Sequence, residues 1–344
     1  MSTIADKLQE LINSKADMKS AIAEKGVEVE GGLTTYAAAI RKIQGSDIYW
    51  NGVRFGGSTR IPLAPNKLYK CGNMDRMFKG ARIQNIEANG FSFNDIDTSF
   101  ADNMEDCFES CVLTDNTDLS NWNTSNVRNM NYTFKGCKNI NITQLNNWDT
   151  SRVKTMYHCF DAEADSGADN FFGYINTIPN WNYSSVDDMV SFVRLQGHLE
   201  SLPRMNLSSL GSSNSYNVKV VWMLYSISRH NFVLNSDGTL GLVSSGSKVE
   251  QTIYHKLTDI GGFIGLKCSF PFVFLDCCPN LTVESLNNVI RDLYDWNINP
   301  DNLSKSKYGD AFTGDMRLAF GEVNLNKLTA EQIAVAIAKG WTLI

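Results

Sequence analysis

The sequence predicts an α+β repeat protein, a solenoid with a small N-terminal helical module and a C-terminal capping region. Three observations carry that prediction. Asn103-Met104 with Phe108, Asn129-Met130 with Phe134, and Met156 with Phe160 repeat one phrase, and both steps between these methionines are 26 residues. Trp122, Trp148 and Trp181 each lie 8 residues before a methionine, namely Met130, Met156 and Met189. Near-copies follow each tryptophan: Asn-Thr-Ser-Asn-Val at 123–127, Asp-Thr-Ser-Arg-Val at 149–153 and Asn-Tyr-Ser-Ser-Val at 182–186. A fixed period of this length marks units that bury their apolar faces on their neighbours.

Within a unit, Met-x-x-x-Phe places two large apolar groups on one side of a helical turn. Leu119 to Trp122, and Leu145 to Trp148, are short enough for a strand or an extended turn. The Asx and Thr-Ser residues after each Trp suit a turn or cap, because their side chains bond nearby backbone N–H groups. Met104, Phe108, Trp122, Met130, Phe134, Trp148, Met156, Phe160 and Trp181 are therefore expected in the core. The pattern continues upstream at Asn73-Met74 with Phe78, where Ile96 replaces the Trp. Downstream, Asn217-Val218 and Val221 with Tyr225 read as a worn sixth copy. The extra residues between Met156 and Met189 are placed in the polar run 162–170, as a surface loop.

The phrase Trp-Asp-Thr-Ser-x-Val-x-x-Met-x-x-x-Phe at 148–160 resembles the BspA-like leucine-rich-repeat variant of bacterial surface and phage proteins. The resemblance covers roughly residues 70–225. It implies a leucine-rich-repeat-like solenoid used for binding and not for chemistry. The first copy lacks the Trp, and the sixth lacks Trp, Met and Phe, so the ends are expected to stack less regularly.

The chain divides into 1–45, 46–70, 71–225, 226–280 and 281–344. In the first block, Ile4, Leu8, Leu11 and Ile12 have helical spacing, continued by Met18, Ala21 and Ile22. A second helix carries Tyr36, Ala37, Ile40 and Ile43. The run Lys-x-x-Met-x-x-Ala-Ile-x-x-Lys-Gly-Val at 15–27, followed by Tyr36-Ala37 and Ile40, resembles an N-terminal segment of phage tail-fibre and tail-associated proteins. That resemblance implies docking to other virion proteins, with Leu8, Leu11, Ile22, Val27, Tyr36 and Ile40 as the docking face. A small helical cap for the repeats is the alternative. Two helices this short are marginal alone, so a partner or self-association is expected, with a trimer as the guess from fibres in general.

Block 46–70 reads as a hairpin and linker, since Asn51-Gly52 separates Ile48–Trp50 from Val53–Phe55. Block 226–280 loses the period and reads as an irregular insertion with strands. In it Asn235–Gly238 is a turn, and Phe263 to Leu275 is apolar enough for a buried strand or edge cover. In block 281–344, Thr282 opens a helix with Val283, Leu286, Val289, Ile290 and Leu293. Thr329-Ala-Glu-Gln332 is a capping box before a second helix that Gly340 stops. Leu-Thr-x-Glu-Ser-Leu at 281–286 and Ala-x-Ala-Lys-Gly-Trp at 336–341 resemble the C-terminal closing repeats of phage and bacterial proteins with this architecture.

Net charge is −6, with 20% charged and 11% aromatic residues. That balance argues against a nucleic-acid binder, which would usually be basic. No run is long and apolar enough for a membrane span. The start at Met1 lacks the basic-then-apolar order of a secretory signal, so synthesis in a host cytoplasm followed by incorporation into a virion is the expectation. Eight cysteines are present. Cys107 and Cys159 share one repeat position, and Cys111 and Cys137 share another, which reads as small apolar core. No cofactor or metal is expected. The histidines His158, His198, His230 and His255 join no catalytic motif, so no enzyme is expected. The function read from the sequence is a phage tail-fibre, tail-tip or head-fibre protein that binds protein or glycan, a host receptor among the candidates. A bacterial surface adhesin and a glycan depolymerase remain the alternatives.

Overall fold

The computed structural model describes residues 69–84, 92–162, 173–210, 254–267, 275–305 and 315–344, apart from 195, 197 and 255. It also describes Lys19, and the backbone at 48–51, 231–234 and 240–243. The expected docking residues Leu8, Leu11, Ile22, Val27, Tyr36 and Ile40, and the worn copy at 217–225, lie outside the described residues.

The expected α+β leucine-rich-repeat-like solenoid is corrected by the secondary structure. Among the described residues the sheets are a three-stranded one and several two-stranded ones, with most strands two residues long. No continuous sheet runs through the repeats, which touch through isolated parallel bridges: Asn73 to Asn103, Asn103 to Asn129, Asn129 to Thr155, and Thr155 to Asp188. Helix is equally sparse there among the described residues: residues 83–84, a 3-10 turn at Phe93–Asp95, and α1 (Ile142–Leu145), which Asn141 caps by accepting from the Thr143 amide.

Met-x-x-x-Phe forms no helical turn. From Met74 the backbone makes chained tight turns, in which the amides of Met77, Lys79 and Ala81 donate to the carbonyls three residues earlier. The intervening amides of Met74, Arg76, Phe78 and Gly80 donate instead to Asn103, Glu105, Cys107 and Glu109 of the next copy, at 2.7–2.8 Å. The same alternation recurs from each later methionine up to Met156. Every N–H is thus committed, as a buried backbone requires. The alternation demands a left-handed residue two places after each methionine: Arg76, Asp106, Tyr132, His158 and Ser191 all have φ between 53° and 56°. Gly80, Ser110 and Gly136 supply a second one, six places after.

Tier-to-tier stacking also fixes the side chains. Phe78, Phe108, Phe134 and Phe160 form one column, with ring centroids 5.2–5.4 Å apart and nearly parallel planes. Trp122, Trp148 and Trp181 form another at 5.8 Å. All nine residues expected in the core, Met104, Phe108, Trp122, Met130, Phe134, Trp148, Met156, Phe160 and Trp181, are buried. Thr98, Thr124 and Thr150 are buried too, and their hydroxyls donate to the carbonyls of Asn123, Asp149 and Asn182 in the following copy. Asp97, Asn123, Asp149 and Asn182 each accept from the amide two residues on. Asn206 does the same for Ser208, so Met205–Leu210 is a further copy of the phrase.

One buried position breaks the apolar rule. Five places after each methionine stand Lys79, Glu109, Lys135, Asp161 and Arg194, and their charges alternate along the stack. Glu109 and Asp161 are fully buried, and Lys135 and Arg194 nearly so. Lys79 pairs with Glu109, and Arg194 Nε lies 2.8 Å from Asp161 Oδ2. Burial would raise the Asp106 carboxyl, but a hydrogen bond shared with the Glu109 carboxyl, one from Arg76 and the charge of Lys79 hold it below its ordinary value.

Outside the repeats, β1 (Ile48–Asn51) pairs in parallel with β2 (Tyr69–Asn73), whose other edge takes β3 (Ile96–Asp97). The strand expected at Ile48 is present and has a parallel partner in β2, and its expected hairpin partner at Val53–Phe55 lies outside the described residues. Two short strands, β4 (Ser201–Leu202) and β5 (Met205–Asn206), follow. The strands β6 (Asn231–Leu234) and β7 (Leu240–Val243) pair antiparallel, and the turn expected at 235–238 lies outside the described residues. β8 (Asp259–Ile260) and β9 (Phe263–Ile264) pair in parallel with β4 and β5. α2 (Val283–Asp292) starts at Thr282, whose side chain accepts from the Ser285 amide. After β10 (Arg317–Leu318) and α3 (Gly321–Leu325), the Thr329–Gln332 capping box opens α4 (Ala330–Ala338). β11 (Thr342–Leu343) then pairs with β10.

Candidate binding cleft

The insertion after Phe160 returns to the stack at Gly173, whose amide donates to the Ala162 carbonyl at 3.0 Å. A Cβ at Gly173 would sit 1.9 Å from the Cys137 carbonyl oxygen, so only glycine fits this crossing. Buried Gln196 secures the return. Its Nε2 donates to the carbonyls of Phe160 and Gly173, and its Oε1 accepts from the Ile175 amide. From here alternate residues point inward. Ile175, Leu199 and Leu257 are buried, whereas Tyr174, Asn176, His198, Glu200 and Lys256 face outward. The amide of Glu200 donates to Asn176 O, and that of Thr258 to Glu200 O, which lines these outward residues up in adjacent tiers.

The result is a surface cleft of about 290 Å³ lined by Ile140, Ile142, Tyr174, Ile175, Asn176, His198, Glu200 and Lys256. The Tyr174 ring is 43% exposed and lies 4.3 Å from the His198 ring. An apolar floor, an aromatic pair and a few polar groups are the usual furniture of a small-ligand site, and the volume is at the low end of such sites. The sequence reading missed this cleft. The signal available was the exposed aromatic directly after a polar insertion.

A second polar cluster surrounds His158. Its Nδ1 lies 2.6 Å from Asp161 Oδ2, which also accepts from Arg194 Nε at 2.8 Å. The imidazole stacks on Tyr132 at 5.3 Å and meets the edge of Tyr157 at 4.2 Å. Asp161 is thus already balanced by a guanidinium inside the stack, which makes it a structural acceptor more than a base. His230 and His255 lie outside the described residues.

Metal chemistry gains no geometry here. No group of three or more His, Cys, Asp or Glu side chains with metal-binding spacing occurs among the described residues. The Cys71 thiol is pushed up to about 12, first by burial and then by Asp97. Burial drives Cys107, Cys137, Cys159 and Cys278 up as well, and a thiolate is the form a metal needs. No helix among the described residues is long and apolar enough to cross a membrane.

Residues 72–201 match a family model described as a Mycoplasma protein of unknown function, DUF285. No curated protein matches the chain, and no solved structure does. The matched span contains every residue lining the cleft except Lys256.

Proposed function

We propose that this chain is a phage virion structural protein, a component of a tail fibre, tail tip or head fibre, that works by binding and not by catalysis. Residues 1–45 dock it to other virion proteins, and the tiered repeats present a binding face to protein or glycan. The observation that supports binding is the division of labour in the repeats. Inward polar groups are spent on tier-to-tier hydrogen bonds, while Tyr174, His198, Glu200 and Lys256 converge on one outward cleft. The docking role rests on the resemblance of the 15–27 block and on its likeness to tail-associated N-termini. Several copies on one particle would multiply modest affinities.

A second reading, a bacterial surface adhesin, is favoured by the description of the matching family as a Mycoplasma protein. Mass spectrometry separates the two. Recovery of the chain at structural abundance in purified phage particles supports the virion role. Recovery in the cell envelope, with none in particles, overturns it in favour of the adhesin.

A further inference from the structure

We propose that the cleft between Ile140 and Lys256 is a subsite for an uncharged glycan, with Tyr174 as the platform for a sugar ring. This deepens the binding role proposed above and rests on it.

The shape and chemistry of the cleft point to a sugar. Tyr174 is a large exposed aromatic, 43% accessible, and the His198 ring at 4.3 Å fixes its orientation. A ring so held offers a flat apolar surface to the C–H face of a pyranose, at little entropic cost. The polar rim matches hydroxyls. The Glu200 carboxylate accepts, the Lys256 ammonium donates, and the Asn176 amide does both. The charges of Glu200 and Lys256 cancel, which favours a neutral ligand over a uronate or a phosphate. An extended peptide is disfavoured because two carbonyls that it would pair with are already taken. The Asn176 carbonyl accepts from Glu200 and Ser201, and the Glu200 carbonyl accepts from Thr258 and Asp259. A volume of about 290 Å³ holds one or two sugar rings at a time.

The test is saturation-transfer NMR and calorimetry on the full chain with maltohexaose, cellohexaose and chitohexaose, and with an oligouronate as the charged comparison. Binding of a neutral oligosaccharide that falls about tenfold or more in Tyr174→Ala, and falls also in Glu200→Gln, supports the proposal. Both positions are exposed, so both variants should fold, and unchanged melting confirms that they do. Ile298→Ser, remote in sequence and also exposed, should leave binding intact. Neutral-glycan binding that persists unchanged in Tyr174→Ala overturns the subsite but leaves glycan binding standing. Preferential binding of the oligouronate overturns the neutral-ligand assignment. Absence of all saccharide binding, in a chain that is still found in phage particles, overturns the subsite and leaves the virion role intact.

Discussion

The indole N–H of Trp148 donates to the carbonyl of Leu119 at 2.9 Å, one tier back in the stack. Trp122 and Trp181 make the same bond to Phe93 and Leu145. The tryptophan column is therefore a row of hydrogen-bond donors as well as a stack of rings. Trp148→Phe keeps a ring but leaves the buried Leu119 carbonyl with only the longer bond from the Trp122 amide, at 3.3 Å, at a cost of about 0.5–1.5 kcal/mol. Trp148→Ala adds a cavity and should cost about 3–5 kcal/mol. Urea titration followed by circular dichroism should rank them in that order. Equal midpoints for Trp148→Phe and the parent chain would show that the bond adds nothing.

Asp161 joins Arg194 and His158 in the buried charge column. Asp161→Asn leaves a buried guanidinium without its carboxylate and should destabilise by about 3–5 kcal/mol. The double variant Asp161→Leu with Arg194→Met removes both charges and should recover most of that loss, because each ion no longer has to be desolvated. A double-mutant cycle in denaturant measures the coupling. Additive losses would show that the pair is not a unit.

Asp292 accepts from Arg204 and Arg291. Burial alone would raise its carboxyl, but the two arginines outweigh burial and hold it below its ordinary value. A carboxyl depressed by folding stabilises above its unfolded pKa, about 3.9, and that contribution fades as pH falls through the folded value. Asp292→Asn should therefore melt lower than the parent at pH 7, and the gap should close as pH falls below about 4. A gap that is constant from pH 7 to pH 3 would place the effect in packing and not in charge.

Ser110 holds a positive φ of 54° at the repeat position that Gly80 and Gly136 fill elsewhere. A left-handed L-residue costs about 1–2 kcal/mol, and the extra unfolded-state freedom of glycine offsets about 0.5–1 kcal/mol of the relief. Ser110→Gly should therefore stabilise by roughly 0.5 kcal/mol. Gly136→Ala should destabilise by a similar amount or more. Opposite shifts in melting temperature are the expected outcome.

The period and its inward residues were legible in the sequence, because Met, Phe and Trp recur at constant spacing and such large apolar groups belong inside. The backbone was not legible. Met-x-x-x-Phe puts both side chains on one face in a helical turn and in chained tight turns alike, and the deciding left-handed residues, Arg76, Asp106, Tyr132, His158 and Ser191, share no side-chain chemistry. The Met205–Leu210 copy escaped because Met205 replaces Trp, while Leu207 and Leu210 replace Thr and Val. The charge column was hidden by its own alternation, since Lys, Glu, Lys, Asp and Arg do not look like one conserved position. The cleft was hidden because Ile140, Tyr174, His198 and Lys256 fall at unequal intervals, and only the insertions bring them into adjacent tiers.

That alternation of Lys79, Glu109, Lys135, Asp161 and Arg194 gives the gene a parity rule. Unequal recombination between repeated units would shorten or lengthen such a protein by whole tiers. Losing one unit, such as residues 110–135, would set the tier of Glu109 directly on that of Asp161, carboxylate against carboxylate in a dry interior. Losing two adjacent units would restore opposite signs. Copy number in this stretch should therefore drift in steps of two.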